Sequence, residues 1–281
     1  MNFSEFKEIV KSRYPFAAID EATVDPLLGS WLDRGMYRWW RICREIEACR
    51  FAGEFTVLDV GAFPFTALKV AKVIFPDARL LGAGLWDENV SACLAQDPLL
   101  RDGTFALANL DPWIRVQERL RDVPRGLPFP DASVDFVIFT EVIEHLYNPA
   151  HALKEIARVL RPGGRLYLTT NNVSYWFYAL RLLKGETNLD HDLGQITVDF
   201  NREHPHDWRG HVRFYSISQV KEMLRLAGLA KMVTETTYDT TDVPEGAGPV
   251  KRAKTLVKSL INVIPWLRKH RGHLEIVAEK A

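Results

Sequence analysis

From Phe55 onward the chain alternates short β-rich runs with helical stretches, a pattern that leaves few architectures open besides a parallel sheet wrapped by helices. The runs are FTVLDV at 55–60, ARLLGA at 78–83 and TFALANL at 104–110, with TALKVAKVIF and DENVSACLA between them as helical stretches. VDFVIFT at 134–140, the helix NPAHALKEIARVL at 148–160, the turn RPGG at 161–164 and the strand RLYLTT at 165–170 continue the series. Pro162 and the Gly163-Gly164 pair predict the end of that helix, because proline has no amide hydrogen and glycine accepts the left-handed exit. A helical stretch at 174–184, a helix at 216–229, a strand near 231–238 and a last strand at 273–280 complete one α/β unit over 53–281.

Residues 1–52 read as an N-terminal helical cap, since Phe3, Phe6, Ile9 and Val10 fall at helical spacing and Trp31 to Arg50 runs without proline. The polar, histidine-rich stretch 185–215 is too long for a plain connector and predicts a lid-like insertion. Charge bears on the choice of partner: 36 basic and 36 acidic side chains give zero formal net charge, so nucleic acid is not an expected partner. Cys43, Cys49 and Cys93 are odd in number and form no CxxC, which speaks against a disulfide framework or a zinc knuckle and for a reduced cytoplasmic compartment. No apolar run approaches the roughly 18 residues of a membrane span.

In an open α/β sheet the ligand sits outside the carboxyl ends of the strands. The informative positions are therefore Asp59-Val60-Gly61, Gly82-Ala83-Gly84, Asn109-Leu110-Asp111, Thr140-Glu141 and Thr170-Asn171. Gly61 follows a strand and precedes a helix, where a missing side chain lets a ligand approach the backbone, or simply permits a tight turn. There is no GxGxxG and no GxxxxGK[ST], which disfavours dinucleotide and P-loop chemistry.

Residues 127–172, LPFPDASVDFVIFTEVIEHLYNPAHALKEIARVLRPGGRLYLTTNN, resemble the core of class I, S-adenosylmethionine-dependent methyltransferases of the type 11 group. With Gly61 upstream and HVRFYSISQVKEMLRLAGL downstream, the resemblance covers about 55–240. It implies a Rossmann-like α/β fold with a seven-stranded, mostly parallel sheet, helices on both faces, and S-adenosylmethionine as cofactor. Such enzymes carry a strand-one motif of the form DxGxGxG and commonly a ribose-binding acid at the end of strand two. Here the first reads Asp59-Val60-Gly61-Ala62-Phe63-Pro64-Phe65 and the second position is Gly84, so two glycines have become phenylalanines and the acid is missing. Asp87 or Glu88 could substitute for it, although acids at a helix start are equally explained by the macrodipole. The resemblance places Asp59, Gly61, Ala62, Phe63, Gly84, Asn109, Leu110 and Glu141 at the cofactor cleft. The segment 61–65, the non-acidic Gly84, Asn109-Leu110, and His211, Arg213, Tyr215 and Ser216 also resemble a subgroup associated with surface-glycan genes, which implies a sugar-like or lipid-linked glycan acceptor.

Glu141, Glu144 and His145 form ExxEH after strand four, and a helical backbone there would put all three on one face. A methyl group on a sulfonium centre moves by in-line attack, so a hydroxyl acceptor must be aligned and must lose its proton. His211, His145 and Glu144 are the catalytic candidates. ExxEH with a distant histidine before an aromatic and a serine also resembles the small-RNA 3′-terminal 2′-O-methyltransferases, in which Glu141, Glu144, His145 and His211 would hold a divalent metal. Those enzymes do not usually carry the LPFPD and RVLRPGG segments. The sequence therefore assigns no metal ligand; Glu141 is expected to line the cleft, Glu144 to cap backbone and His145 to be hydrogen-bonded in place. His204, His206, Asp207 and His211 crowd into HPHDWRGH at a spacing that matches no closed zinc site. Tyr175, Trp176 and Trp208 could stack on a sugar ring or serve as packing aromatics.

Finally, residues 249–271 combine Lys251, Arg252, Lys254, Lys258, Arg268, Lys269 and Arg271 with Leu256, Val257, Leu260, Ile261, Val263, Ile264 and Trp266. A basic amphipathic helix of this kind either contacts a membrane surface or packs on the sheet with a solvated basic face. The first expectation is a methyltransferase acting on oxygen of a sugar-like or lipid-linked acceptor, in the cytoplasm or peripheral at the inner membrane surface. The alternatives are metal-assisted methylation of an RNA terminal ribose, and a catalytically silent scaffold whose cleft is blocked by Phe63 and Phe65.

Overall fold

A computed structural model describes residues 1–21, 30–49, 51, 53–86, 88–111, 123–185, 211–239, 257 and 259–281. Among them seven strands form one sheet: β1 (Phe55–Val60), β2 (Ala78–Gly84), β3 (Thr104–Leu107), β4 (Val134–Thr140), β5 (Leu160–Asn171), β6 (Lys231–Tyr238) and β7 (His273–Glu279). The spatial order is β3-β2-β1-β4-β5-β7-β6, and every pairing is parallel except those of β7 with β5 and β6. The chain runs outward from β1 to β3, then returns to place β4 on the other side of β1. That reversal is the switch point at which such sheets open a ligand crevice. The expected seven-stranded, mostly parallel sheet with helices on both faces is the architecture found.

The helices are α1 (Phe3–Arg13), α2 (Ala18–Glu21), α3 (Trp31–Ala48), α4 (Thr66–Ile74), α5 (Glu88–Gln96), α6 (Pro149–Val159), α7 (Trp176–Leu183) and α8 (Ile217–Leu226). Period-two alternation decides which face each strand residue joins. Val57, Phe136, Ile138, Tyr167 and Val277 pack in one buried cluster with Phe6, Ile42, Ile46 and Leu68. Leu58, Val137, Phe139, Leu166 and Ile276 turn the other way, to Leu153 and Ile156 of α6 and Val220 and Leu224 of α8. Capping boxes at Asn2/Glu5 and Ser216/Gln219 start α1 and α8 by satisfying free amide hydrogens of the first turn.

Two buried ionic clusters tie the N-terminal helices to the sheet. Lys69 of α4 has no solvent exposure and holds Asp20 at 2.5 Å, Asp97 at 2.7 Å and the Pro15 carbonyl at 2.9 Å, with its ammonium 4.5 Å from the Tyr14 ring centre. Arg41 of α3 binds the buried Glu275 of β7 with two nitrogens, and the Tyr167 hydroxyl donates to the same carboxylate at 2.8 Å. The first anchors α2 and the end of α5 to α4; the second anchors α3 across β5 and β7.

The structure corrects one expected element. The basic helix over 249–271 is not continuous: the helix through Ile261 breaks at Ile264, and Pro265–His270 forms a separate 3₁₀ turn. Pro265 has no amide hydrogen to continue the helical ladder. Lys251, Arg252, Lys254, Leu256 and Lys258 lie outside the described residues, as do Asp87, His204, His206, Asp207, Trp208 and most of the expected lid at 185–215. No helix among the described residues is long and apolar enough to cross a membrane.

Candidate active site

Six of the seven strands bring residues of interest to one rim, the carboxyl edge of the parallel strands. At its β1 end, Gly61 turns the chain with φ +81°, and the amides of Gly61 and Ala62 donate to the Ala83 carbonyl of β2 at 2.7 and 3.2 Å. A Cβ on Gly61 would come within 2.4 Å of Val142, and one on Gly84 within 3.3 Å of Trp86 and 3.4 Å of the Ala62 nitrogen. Val142 and Trp86 therefore pack directly against backbone where β1 and β2 end, an approach that glycine permits. The phenylalanines that replace the motif's glycines diverge. Phe65, the residue before α4, is fully buried against Trp86 (5.1 Å between ring centres) and Phe105 (5.5 Å), so it belongs to the core. Phe63 stands 43% exposed. Of the two rings that replace the motif's glycines, Phe65 is turned into the core and does not obstruct an adenosyl ligand, while the space a Cβ would take at Gly61 and Gly84 is already held by Val142 and Trp86. Burial alone pushes the Asp59 carboxyl up to about 7. Asn109 and Leu110 follow β3; the Asn109 side chain accepts from the Asp111 amide at 2.9 Å, and Asp111 in turn accepts from the amides of Tyr147 and Asn148.

At the β4 end the chain does not continue as a regular helix. Glu141 has φ +54° and a single 3₁₀ turn, Ile143–His145, follows. The shared face expected for Glu141, Glu144 and His145 is therefore not formed, because the left-handed residue swings Glu141 away. Its carboxylate lies 3.4 Å from Arg38 of α3 and 3.4 Å from His273 of β7, and accepts from Thr169 at 2.8 Å. Burial works to raise its pKa, but Arg38 and His273 outweigh it and hold the carboxyl well below the usual range.

Glu144, His145 and His211 come together instead. One potential ligand atom from each lies within 4.8 Å of the others, and the two imidazoles meet edge to face with centres 4.7 Å apart. Glu144 has no solvent exposure; Thr170 donates to its Oε2 at 2.8 Å, and its Oε1 is buried without a hydrogen-bond partner. Burial, then the neighbouring charge of Glu141, raises its pKa well above the ordinary value. The long-range contact with His211 is built from backbone: the amides of Val212 and Arg213 donate to the Glu144 carbonyl at 2.8 and 3.3 Å, and Val173 donates to the Tyr215 carbonyl at 2.9 Å. The Asn171 side chain meets Nδ1 of His211 at 3.4 Å.

Sequence reasoning did not single out Arg38, His273 or Thr169. Arg38 and His273 arrive from segments 103 and 132 residues away from Glu141, and nothing local to either marks the meeting. Tyr175 begins α7 beside Gly272, and Trp176 follows it; the Trp176 indole nitrogen is buried without a hydrogen-bond partner.

The sheet order is that of the Rossmann-like fold of class I methyltransferases. Within it, residues 88–168, from α5 through most of β5, match the methyltransferase domain family. The matched stretch begins downstream of the altered glycine motif. An S-adenosylmethionine-dependent methyltransferase of Aquifex aeolicus superposes with a TM-score of 0.50 over the whole of both chains at 14% identity. By sequence, the chain is 34% identical over 114 residues to an uncharacterized 37.1 kDa protein in a Streptomyces fradiae transposon, covering 40% of this chain and 29% of that protein. It is 26% identical over 207 residues to the human mitochondrial ubiquinone biosynthesis O-methyltransferase, covering 66% of this chain and 54% of that enzyme. The alignments thus span about half or less of these relatives.

Proposed function

We propose that this chain is an S-adenosylmethionine-dependent methyltransferase acting on an oxygen of a small sugar-like or lipid-linked glycan acceptor. The observation that carries this reading is the division of one strand-end rim: glycine backbone at Gly61 and Gly84, and a Glu144–His145–His211 cluster across the switch point from it. In this reading Asp59, Gly61, Ala62, Phe63, Gly84, Asn109 and Leu110 hold the cofactor, and Glu141 closes the far wall of the cleft. S-adenosylmethionine, when bound, supplies an electrophilic methyl group on sulfur. The chain's own residues align the acceptor hydroxyl and take up its proton. Thr170 holds the buried Glu144 carboxyl in place, so Glu144 positions, while His211, steadied by Asn171, is placed to accept that proton.

Oxygen as the target is supported by the name of the human relative, a ubiquinone biosynthesis O-methyltransferase. A lipid-linked acceptor is supported by the surface beside the rim. No side chain of α7 is buried, with Leu180, Leu182 and Leu183 at 46%, 60% and 84% exposure. Leu260, Val263 and Trp266 are likewise exposed next to Arg268 and Lys269, a combination suited to an anionic membrane surface. Asn172 at the end of β5 fixes both elements: its side chain donates to the Lys269 and Arg271 carbonyls, and its own carbonyl accepts from Tyr175 at the start of α7.

Calorimetric titration with S-adenosylhomocysteine tests the cofactor half, and one site per chain is expected. No heat and no thermal shift at millimolar ligand would leave the silent scaffold. His211→Ala should lower methyl transfer to lipid-linked sugars by about 100-fold or more while changing S-adenosylhomocysteine affinity less than twofold. Unchanged turnover removes His211 from the site.

A further inference from the structure

We infer that Glu144, His145 and His211 form a three-residue site for a borderline divalent cation of the manganese-to-zinc series. The inference rests on the methyltransferase reading and revises one role in it: with its imidazole bound to the ion, His211 is a ligand and not the base, and the cation lowers the pKa of the acceptor hydroxyl so that its proton passes to solvent.

The ligand set follows from the turn after β4. The left-handed Glu141 is committed to Arg38, His273 and Thr169, so it is not one of the set. The 3₁₀ turn then presents Glu144 and His145 as neighbours on one side, and the two amide bonds from Val212 and Arg213 to the Glu144 carbonyl bring His211 against them. Potential ligand atoms within 4.8 Å of one another can be drawn onto a single ion at bond lengths of about 2.0–2.2 Å by small side-chain rotations.

The second observation is the Glu144 carboxyl. It is fully buried, one oxygen is bound by Thr170, and the other, Oε1, has no hydrogen-bond partner. A buried oxygen without a donor is costly, and such groups are rare unless something outside the protein satisfies them. Water would satisfy the oxygen too, but would give no reason for two imidazoles to converge on the same place. Two nitrogens and one carboxylate oxygen favour transition ions over magnesium or calcium, which prefer all-oxygen sets. Among the described residues the set has three protein ligands, the number found for ions that activate a bound oxygen rather than brace a fold.

The test uses the full chain stripped with chelator and dialysed against zinc, manganese or cobalt, with bound ion counted by elemental analysis and cobalt followed by its visible absorption. One ion per chain is expected, with affinity reduced at least tenfold by His145→Ala, by His211→Ala and by the near-isosteric Glu144→Gln. S-adenosylhomocysteine titrations of each variant should stay within twofold of the parent, which shows the variants folded. An ion whose binding ignores all three substitutions lies elsewhere, and an absence of stoichiometric binding by the parent chain removes the site. Ion binding is read without cofactor, so its failure is distinct from failure of the cofactor titration.

Discussion

Where β1 and β2 end, the rim is backbone, with charge held beneath it: Lys69, Asp20 and Asp97 are sealed below α4, and Asp59 is buried within β1. Where β4 and β5 end and β7 begins, the ionisable groups are on the rim itself, in Arg38, Glu141, His273, Glu144, His145 and His211. The two halves belong to one sheet and one crevice, so the difference reflects what each must hold. A cofactor that brings its own positive sulfur needs shape and close backbone approach. An acceptor hydroxyl needs groups that move or stabilise a proton. If this division is right, removing a charge from the first half should disturb folding and its pH dependence, whereas removing one from the second should chiefly disturb turnover.

The largest expected effect lies under the cofactor half. Lys69→Met deletes the cation shared by two buried carboxylates, leaving Asp20 and Asp97 without their counter-charge. Breaking a buried pair in this way costs about 3–5 kcal/mol. Urea denaturation should register the loss, with the start of α4, and hence the Gly61–Phe65 turn, loosened along with α2. A loss under about 1 kcal/mol would mean that water reaches the cluster and that charge beneath this half is not structural.

Next in size is Asp59→Asn. Burial raises the Asp59 carboxyl from 3.8 to about 7, so between those values the folded chain keeps a proton that the unfolded chain has already released. Stability must therefore fall as pH rises from about 4 to about 7, and stay level above that. At about 1.4 kcal/mol per pH unit, the total is on the order of 4 kcal/mol. The asparagine variant lacks the titration. It should match the parent below pH 4 and exceed it by a few kcal/mol above pH 7, while binding S-adenosylhomocysteine less tightly if the carboxylate is retained for the cofactor. Parallel stability profiles for the two proteins would show that Asp59 is hydrated and that burial does not govern it.

How much of this was legible in the sequence also divides between the two halves. β1, β4 and β6 begin and end where periodicity placed them, and Gly61 and Gly84 stand at strand ends because short-range alternation fixes those positions. Phe65 looked like an obstruction; only the packing of Trp86 and Phe105 around it shows that the ring belongs to the core. On the other half, ExxEH is visible as a motif, but the face it would share requires a helical backbone that the chain does not adopt there. The helical spacing that would have united Glu141 with Glu144 is broken by one left-handed residue, Glu141, whose carboxylate meets Arg38 and His273. Arg38 lies on α3 among aromatic and basic neighbours, and His273 opens an ordinary-looking strand. Their convergence depends on the antiparallel entry of β7 between β5 and β6, which no local pattern encodes.

The smallest expected effect tests that convergence. Arg38→Met removes the guanidinium from Glu141 but leaves His273 and the Thr169 hydroxyl, and both members of the pair keep some exposure. The stability cost should then be about 1–3 kcal/mol, below that at Lys69. Turnover should change more than stability does. Without Arg38 the Glu141 carboxyl loses its strongest attraction, rises toward its ordinary range, and is less firmly anchored beside the turn that presents Glu144 and His145. The expected signature is a fall in kcat of tenfold or more with S-adenosylhomocysteine affinity preserved, and partial recovery in Arg38→Lys, which restores charge without the planar fork. Should Arg38→Met instead abolish cofactor binding and leave the Glu144 cluster intact, Arg38 and Glu141 would belong to the cofactor half, and the boundary between the two halves would have to be moved from β4 to β5.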